Sequence, residues 1–161
     1  MRKEIRHLVL AVAILASVAQ AQIKETQTMR EVEAAIDQKT FVVFDIDNTL
    51  IAPVQTLGSD QWFEAQLKVL GFEKTLAAWI SVQKVTKVRA VEDFTPSMIH
   101  RLQELGVSVM ALTARPTEIA EATRAQLKSV GIDLTKTSPF LSSLKIEWKD
   151  EVAVYQDGIL F

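Results

Sequence analysis

Cysteine is absent from the 161 residues. That excludes disulfide bonds, a cysteine nucleophile and thiolate zinc sites, and it is compatible with an exported protein without requiring one. Histidine is almost absent: past the first twenty-one residues only His100 remains. A phosphohistidine mechanism would rest on that residue alone, and His100 sits among Met98, Ile99 and Leu102 where a helix surface is expected. There is no basic excess. The formal charge is −2, so no nucleic-acid-binding surface is expected. Only the N-terminus carries a long apolar run. No internal repeat or low-complexity segment is present.

What the chain does have begins with a three-part leader. Arg2, Lys3 and Arg6 make a basic start, Leu8 to Val18 is apolar but short for a membrane span, and Ala19-Gln20-Ala21 is a small-x-small cleavage site. Residues 1–21 are therefore expected to be a signal peptide, with an uncleaved anchor as the alternative. Removing Arg2, Lys3, Arg6 and Glu4 with that segment leaves 15 basic and 19 acidic residues, a net charge of −4. The expected location is periplasmic or secreted, with no stable membrane span after cleavage.

The chemistry is concentrated in Phe41-Val42-Val43-Phe44-Asp45-Ile46-Asp47-Asn48-Thr49-Leu50. Four apolar residues read as a buried strand, and two carboxylates follow two positions apart. Side chains at i and i+2 share one face of an extended segment, so Asp45 and Asp47 can converge at the strand end, where an open α/β sheet puts its ligand crevice. Two carboxylates that close repel unless something offsets them, and hard oxygens suit Mg²⁺. An acidic loop or Asx-turn after a strand is the plainer reading. A second apolar strand, Val107-Ser108-Val109-Met110-Ala111-Leu112, ends in Thr113-Ala114-Arg115. The amides after Thr113 and a helix opening near Pro116 would suit an anion; Arg115 would either reach a phosphate or lie on the surface.

Around these strands the pattern is helical. Met29, Val32 and Ile36 recur at helical spacing; Ser59 is a helix cap before Trp62, Phe63, Leu67 and Leu70, with Gly71 at the end; a second run covers about 74–88; Thr95-Pro96 and Pro116 open two more helices. The alternation of helices and strands is an α/β order.

The run Asp-x-Asp-x-Thr after an apolar strand resembles the first motif of the haloacid-dehalogenase-like (HAD) superfamily, and the strand ending at Thr113 resembles its second. Together with Gly58-Ser59-Asp60-Gln61-Trp62-Phe63 and the leader, the chain resembles the exported bacterial subfamily named domain of unknown function 2608. The resemblance implies a Rossmann-like parallel sheet with a small helical cap, about residues 55–90, inserted between the two motifs. It implies a phosphomonoesterase acting on a small phosphorylated substrate. Asp45 would be the nucleophile that becomes an aspartyl-phosphate, and Asp47 the general acid/base. Thr113, Asn48 and Arg115 would bind phosphate. Mg²⁺ would be held by the Asp45 carboxylate and the backbone carbonyl of Asp47. Trp62 and Phe63, at the start of the cap, would stack on a leaving group or pack in a core.

Two further motifs of that superfamily, a later lysine and an acidic pair, have no clear counterpart. Lys136, Lys145 and Lys149 lack a helix-opening context, and Asp150-Glu151 precedes an apolar run. Asp157-Gly158 between apolar runs reads as a hairpin turn in preference to a metal ligand. The 22–161 domain is accordingly expected to be incomplete. The alternative function is a non-catalytic HAD-like remnant or binding protein of the cell envelope. The leader makes the first prediction: protein recovered from the envelope should begin at Gln22 by mass spectrometry, and an intact Met1 on that protein would refute it.

Overall fold

The computed structural model describes residues 22–149 and 151–161; the expected signal peptide lies outside the described residues. In chain order the elements are α1 (Met29–Glu33), β1 (Phe41–Phe44), β2 (Ile51–Pro53), α2 (Asp60–Leu70), α3 (Phe72–Gln83), β3 (Val88–Ala90), α4 (Thr95–Glu104), β4 (Ser108–Leu112), a 3-10 turn (Thr117–Ile119), α5 (Ala120–Ser129), β5 (Leu144–Trp148), β6 (Glu151–Gln156) and β7 (Ile159–Leu160).

The main sheet has five strands in the order β1-β4-β7-β6-β5. β1, β4 and β7 run parallel, whereas β7–β6 and β6–β5 are antiparallel. The expectation of a parallel sheet is thus corrected to a mixed one. The reason is local. Asp157 and Gly158 have φ of 52° and 82°, the left-handed pair a two-residue hairpin turn demands, and they fold β7 straight back on β6. The turn reading of Asp157-Gly158 holds.

Alternation along the strands sorts the residues by face. Val42 and Phe44 of β1, Val109 and Ala111 of β4 and Ile159 of β7 face Met98, Ile99 and Leu102 of α4 and Leu127 of α5, and this is the core. The opposite face carries Phe41, Val43 and Leu112, exposed at 52, 46 and 50%. Register continues that face across the sheet from Leu112 to Leu160, Tyr155 and Leu144. Phe140 meets Tyr155 edge-on with centroids 5.0 Å apart, and the Ser138 and Tyr155 hydroxyls are hydrogen-bonded. Ile146, two residues beyond Leu144, is again 48% exposed.

The stretch between β1 and β4 holds the expected helical insert, with a stem that was not expected. β2 and β3 pair antiparallel as a two-stranded ribbon, and α2 and α3 rise from it as a hairpin. The Ser59 side chain caps α2 by accepting from the Trp62 amide, and Gly71 ends it at φ 75°. Phe63 and Phe72 meet edge-on across the hairpin. The predicted helix over 74–88 stops at Gln83. The Thr86 hydroxyl donates to the Val82 carbonyl, and Val88 to Ala90 leave the helix to pair with Ile51 to Pro53; the ribbon partner outweighs helical periodicity there.

The chain after α5 is tightly built. The Asp133 carboxylate accepts from the Thr135 hydroxyl (2.7 Å) and amide (3.0 Å), and these two bonds hold its carboxyl below the usual carboxylate range. Gly158 presses on this loop. A Cβ there would collide with the Leu134 carbonyl and lie 2.7 Å from the Leu134 Cβ. Gly131 shares the positive φ, at 83°, but a Cβ there would have room, its nearest neighbour 3.8 Å away. Gly158→Ala should therefore lower unfolding stability by roughly 2–4 kcal/mol, against about 1 kcal/mol for Gly131→Ala. Denaturant midpoints compare the two; equal losses would show that the Leu134 contact does not matter.

Candidate functional site

The C-terminal ends of β1 and β4 lie side by side, because the strands are parallel with Phe44 opposite Ala111. Asp45 and Thr113, each one or two residues beyond that pair, line one hollow together with Val43, Leu112 and Ala114. Asp45 is exposed and Thr113 is buried at 7%. The two principal residues of the expected site thus share one concavity.

The loop after β1 is wound tightly by its own backbone. The Ile46 carbonyl accepts from the amides of both Leu50 and Ile51, and the Asn48 amide donates to Ile51. Asn48 takes a left-handed φ of 58°, which asparagine tolerates better than most residues. Ile46, Leu50 and Ile51 are wholly buried, so the apolar residues anchor the loop and turn Asp45, Asp47 and Thr49 outward. The Thr49 hydroxyl donates to Asp45 Oδ2 at 3.1 Å. At β4 the Thr113 hydroxyl accepts from the Arg115 amide at 3.2 Å, and the Thr113 amide donates to the Leu160 carbonyl.

Two expected phosphate ligands are otherwise engaged. The Asn48 side-chain amide donates to Asp60 Oδ2 at 2.6 Å, across to the first turn of α2. Arg115 does not lie on the surface. It is buried, and its guanidinium forks onto Asp47, with Nε to Oδ2 at 2.8 Å and Nη2 to Oδ1 at 2.7 Å. Nη1 donates to Thr123 Oγ1 (3.1 Å) and Gln126 Oε1 (2.7 Å). A buried arginine needs acceptors for its N–H groups, and these side chains supply four. Asp47 itself is half-buried, and each of its oxygens has a second lone-pair direction.

Sequence reasoning missed Thr123, Gln126 and Gln83, all buried polar residues. A faint signal existed: Thr123 and Gln126 sit three apart on the helix face that also carries Leu127, a polar pair on an apolar stripe. His100 is on the helix surface as expected, near Glu104 at 3.4 Å. Trp62 and Phe63 are half-buried in the insert; Phe63 packs on Phe72.

Among the described residues no group of three or more His, Asp or Glu side chains gathers into a cation cage. The donors at the site are the exposed Asp45 carboxylate and the backbone oxygens of the Asp47 loop. One exposed carboxylate with backbone oxygens is compatible with Mg²⁺, which binds through one or two carboxylates plus waters and phosphate, without a full protein cage.

The family model described as "Protein of unknown function (DUF2608)" matches residues 25–161. A "Putative outer membrane protein" of Chlamydia trachomatis serovar D is 26% identical over 148 residues, covering 84% of this chain and 57% of the relative. The chain thus spans a little over half the length of that relative. No solved structure matches. No described helix is long and apolar enough to cross a membrane.

The ion pair yields a stability prediction. Removing one partner of a buried pair leaves the other charge uncompensated, and the Arg115 side chain is 2% exposed against 32% for Asp47. Asp47→Ala should therefore cost about 3 kcal/mol of unfolding free energy. An exposed site carboxylate such as Asp45, replaced by alanine, should change stability by less than about 1 kcal/mol. Chemical denaturation of both variants is the check; an unaffected Asp47→Ala protein would show that the Arg115 charge is compensated elsewhere.

Proposed function

The chain belongs to the DUF2608 family of proteins of unknown function, and from that premise we propose that it is a Mg²⁺-dependent phosphomonoesterase of HAD type, working in the cell envelope through an aspartyl-phosphate on Asp45. The observation that carries this reading is the shared hollow of Asp45 and Thr113 at the ends of adjacent parallel strands. The insert rising between the two strands supports the HAD-like reading of the fold, as does the Asp-x-Asp-x-Thr run. The envelope location draws on the expected leader and on the likeness to the Chlamydia "Putative outer membrane protein".

The residues divide the work as follows. A carboxylate oxygen of Asp45 attacks phosphorus in line while the bond to the leaving oxygen breaks, and Asp47 delivers a proton to that oxygen. Asp47 then takes a proton from water as the water oxygen attacks the same phosphorus, releasing phosphate and restoring Asp45. The Thr113 hydroxyl donates to a phosphoryl oxygen, and Thr49 steadies the nucleophile through its bond to Asp45 Oδ2. Mg²⁺, held by the Asp45 carboxylate and the Asp47 backbone carbonyl, would supply charge neutralisation on the phosphoryl oxygens.

The second reading is a non-catalytic binding protein of the envelope. The observation that favours it is the engagement of both Asp47 oxygens by Arg115, since a general acid needs access to the leaving group.

Hydrolysis of nitrophenyl phosphate with and without Mg²⁺ tests the proposal. Asp45→Asn should abolish turnover, Asp47→Asn should lower it by ~10²–10⁴-fold, and Thr113→Val should cost roughly 1–3 kcal/mol of transition-state stabilisation. Turnover indifferent to Asp45→Asn would rule out the mechanism. A well-folded wild-type protein with no turnover would favour the binding reading.

A further inference from the structure

The bonds that hold Arg115 continue past it. Gln126, which accepts from Nη1, turns its side-chain amide the other way and donates to the carbonyls of Gln83 (2.9 Å) and Thr86 (3.2 Å). Gln83 is the last residue of α3, and carbonyls at a helix C-terminus lack intrahelical donors. Gln83 in turn donates its side-chain amide to the Gly58 carbonyl at 2.9 Å, and the Trp79 indole N–H reaches the same oxygen at 3.1 Å. Gly58 leads into the insert and Thr86 leads out of it. The indole of Trp79 also lies beside the Arg115 guanidinium, 5.6 Å from ring centre to Cζ. A chain of buried side chains therefore runs from both feet of the helical insert to the carboxylate of Asp47.

We propose that Arg115 is a positioning residue for Asp47 and that the helical insert sets its orientation through Gln126, so that a ligand contacting the insert alters how Asp47 presents its oxygens. Three physical points support this. The guanidinium is planar, so two bonds to Asp47 on one side and two to Thr123 and Gln126 on the other leave it no independent swing. The network is buried, where hydrogen bonds are electrostatically stronger and an orphaned group is costly, so its members move together or not at all. Gly58 leaves the insert no slack at its entry, because a Cβ there would lie 2.9 Å from Val82 and 3.1 Å from Gln83. The inference rests on the phosphatase reading for the part Asp47 plays; the coupling itself needs only the network.

The test uses the full chain with ¹³C-labelled aspartate. Gln126 makes no hydrogen bond to Asp47, so a purely local role for Gln126 would leave the Asp47 carboxyl resonance where it is. In Gln126→Leu that resonance should move, and exchange of the Val85 and Thr86 amides should rise about tenfold as the foot of the insert loosens. Gln126→Glu keeps the side-chain volume and the acceptor for Arg115 but replaces the amide donors, and it should loosen the same amides; it keeps the test open if the leucine variant fails to fold. An unmoved Asp47 resonance with unchanged exchange in a folded variant overturns the coupling, whether or not the wild type hydrolyses phosphate esters. A moved resonance in a protein without hydrolysis leaves the coupling standing and overturns the phosphatase reading. With both intact, Gln126→Leu should lower kcat at unchanged KM, and Arg115→Lys, which keeps the charge and loses the fork, should lower it too.

Discussion

A guanidinium in the interior of a small protein is the constraint around which the rest of this molecule is arranged. Taking a charge out of water costs several kcal/mol unless its N–H groups all meet acceptors. Arg115 places four hydrogen bonds on two separate elements, the loop after β1 through Asp47 and α5 through Thr123 and Gln126, and Gln126 carries the network on to the end of α3 at Gln83. Those elements are far apart in sequence. The loop after β1, α5 and the end of α3 are therefore tied together by a polar network as well as by apolar packing, and that network holds the Asp47 carboxylate.

The tight loop between β1 and β2 shows how backbone and side chain divide the task. Ile46, Leu50 and Ile51 are buried completely and act as pins, while the residues between them face outward. The result is a site in which Asp45 is exposed and lightly held and Asp47 is gripped. Two like residues two positions apart thus have unlike surroundings, which is the usual way for a pair of carboxylates to take on different duties.

Much of this was legible in the sequence, and the limits are instructive. The runs Phe41–Phe44 and Ser108–Leu112 are short, apolar and bounded by turn residues, so both strands could be read directly, as could the cap at Ser59, the stop at Gly71 and the turn at Asp157-Gly158. Their shared site followed from the rule that parallel strands open at one end. What could not be read depends on partners distant in the chain. Val88 to Ala90 continue a helical pattern and become a strand only because Ile51 to Pro53 lie alongside. Arg115 looks like any exposed arginine until Asp47, Thr123 and Gln126 converge on it. The antiparallel half of the sheet came from a turn whose consequence for strand direction was not drawn from the sequence.

Among the described residues the core helices α4 and α5 lie on one side of the sheet, and the other side buries Met110 and Tyr155 but leaves Phe41, Val43, Leu112 and Ile146 about half exposed. A body with one oily side and one wetted side is a surfactant in shape. Such a side favours adsorption where water meets an apolar boundary, such as the air–water film of a thin cryo-grid, the wall of a plastic tube or a detergent micelle. Its dilute concentration will fall with the area of such boundaries, and mild detergent or glycerol will bring it back.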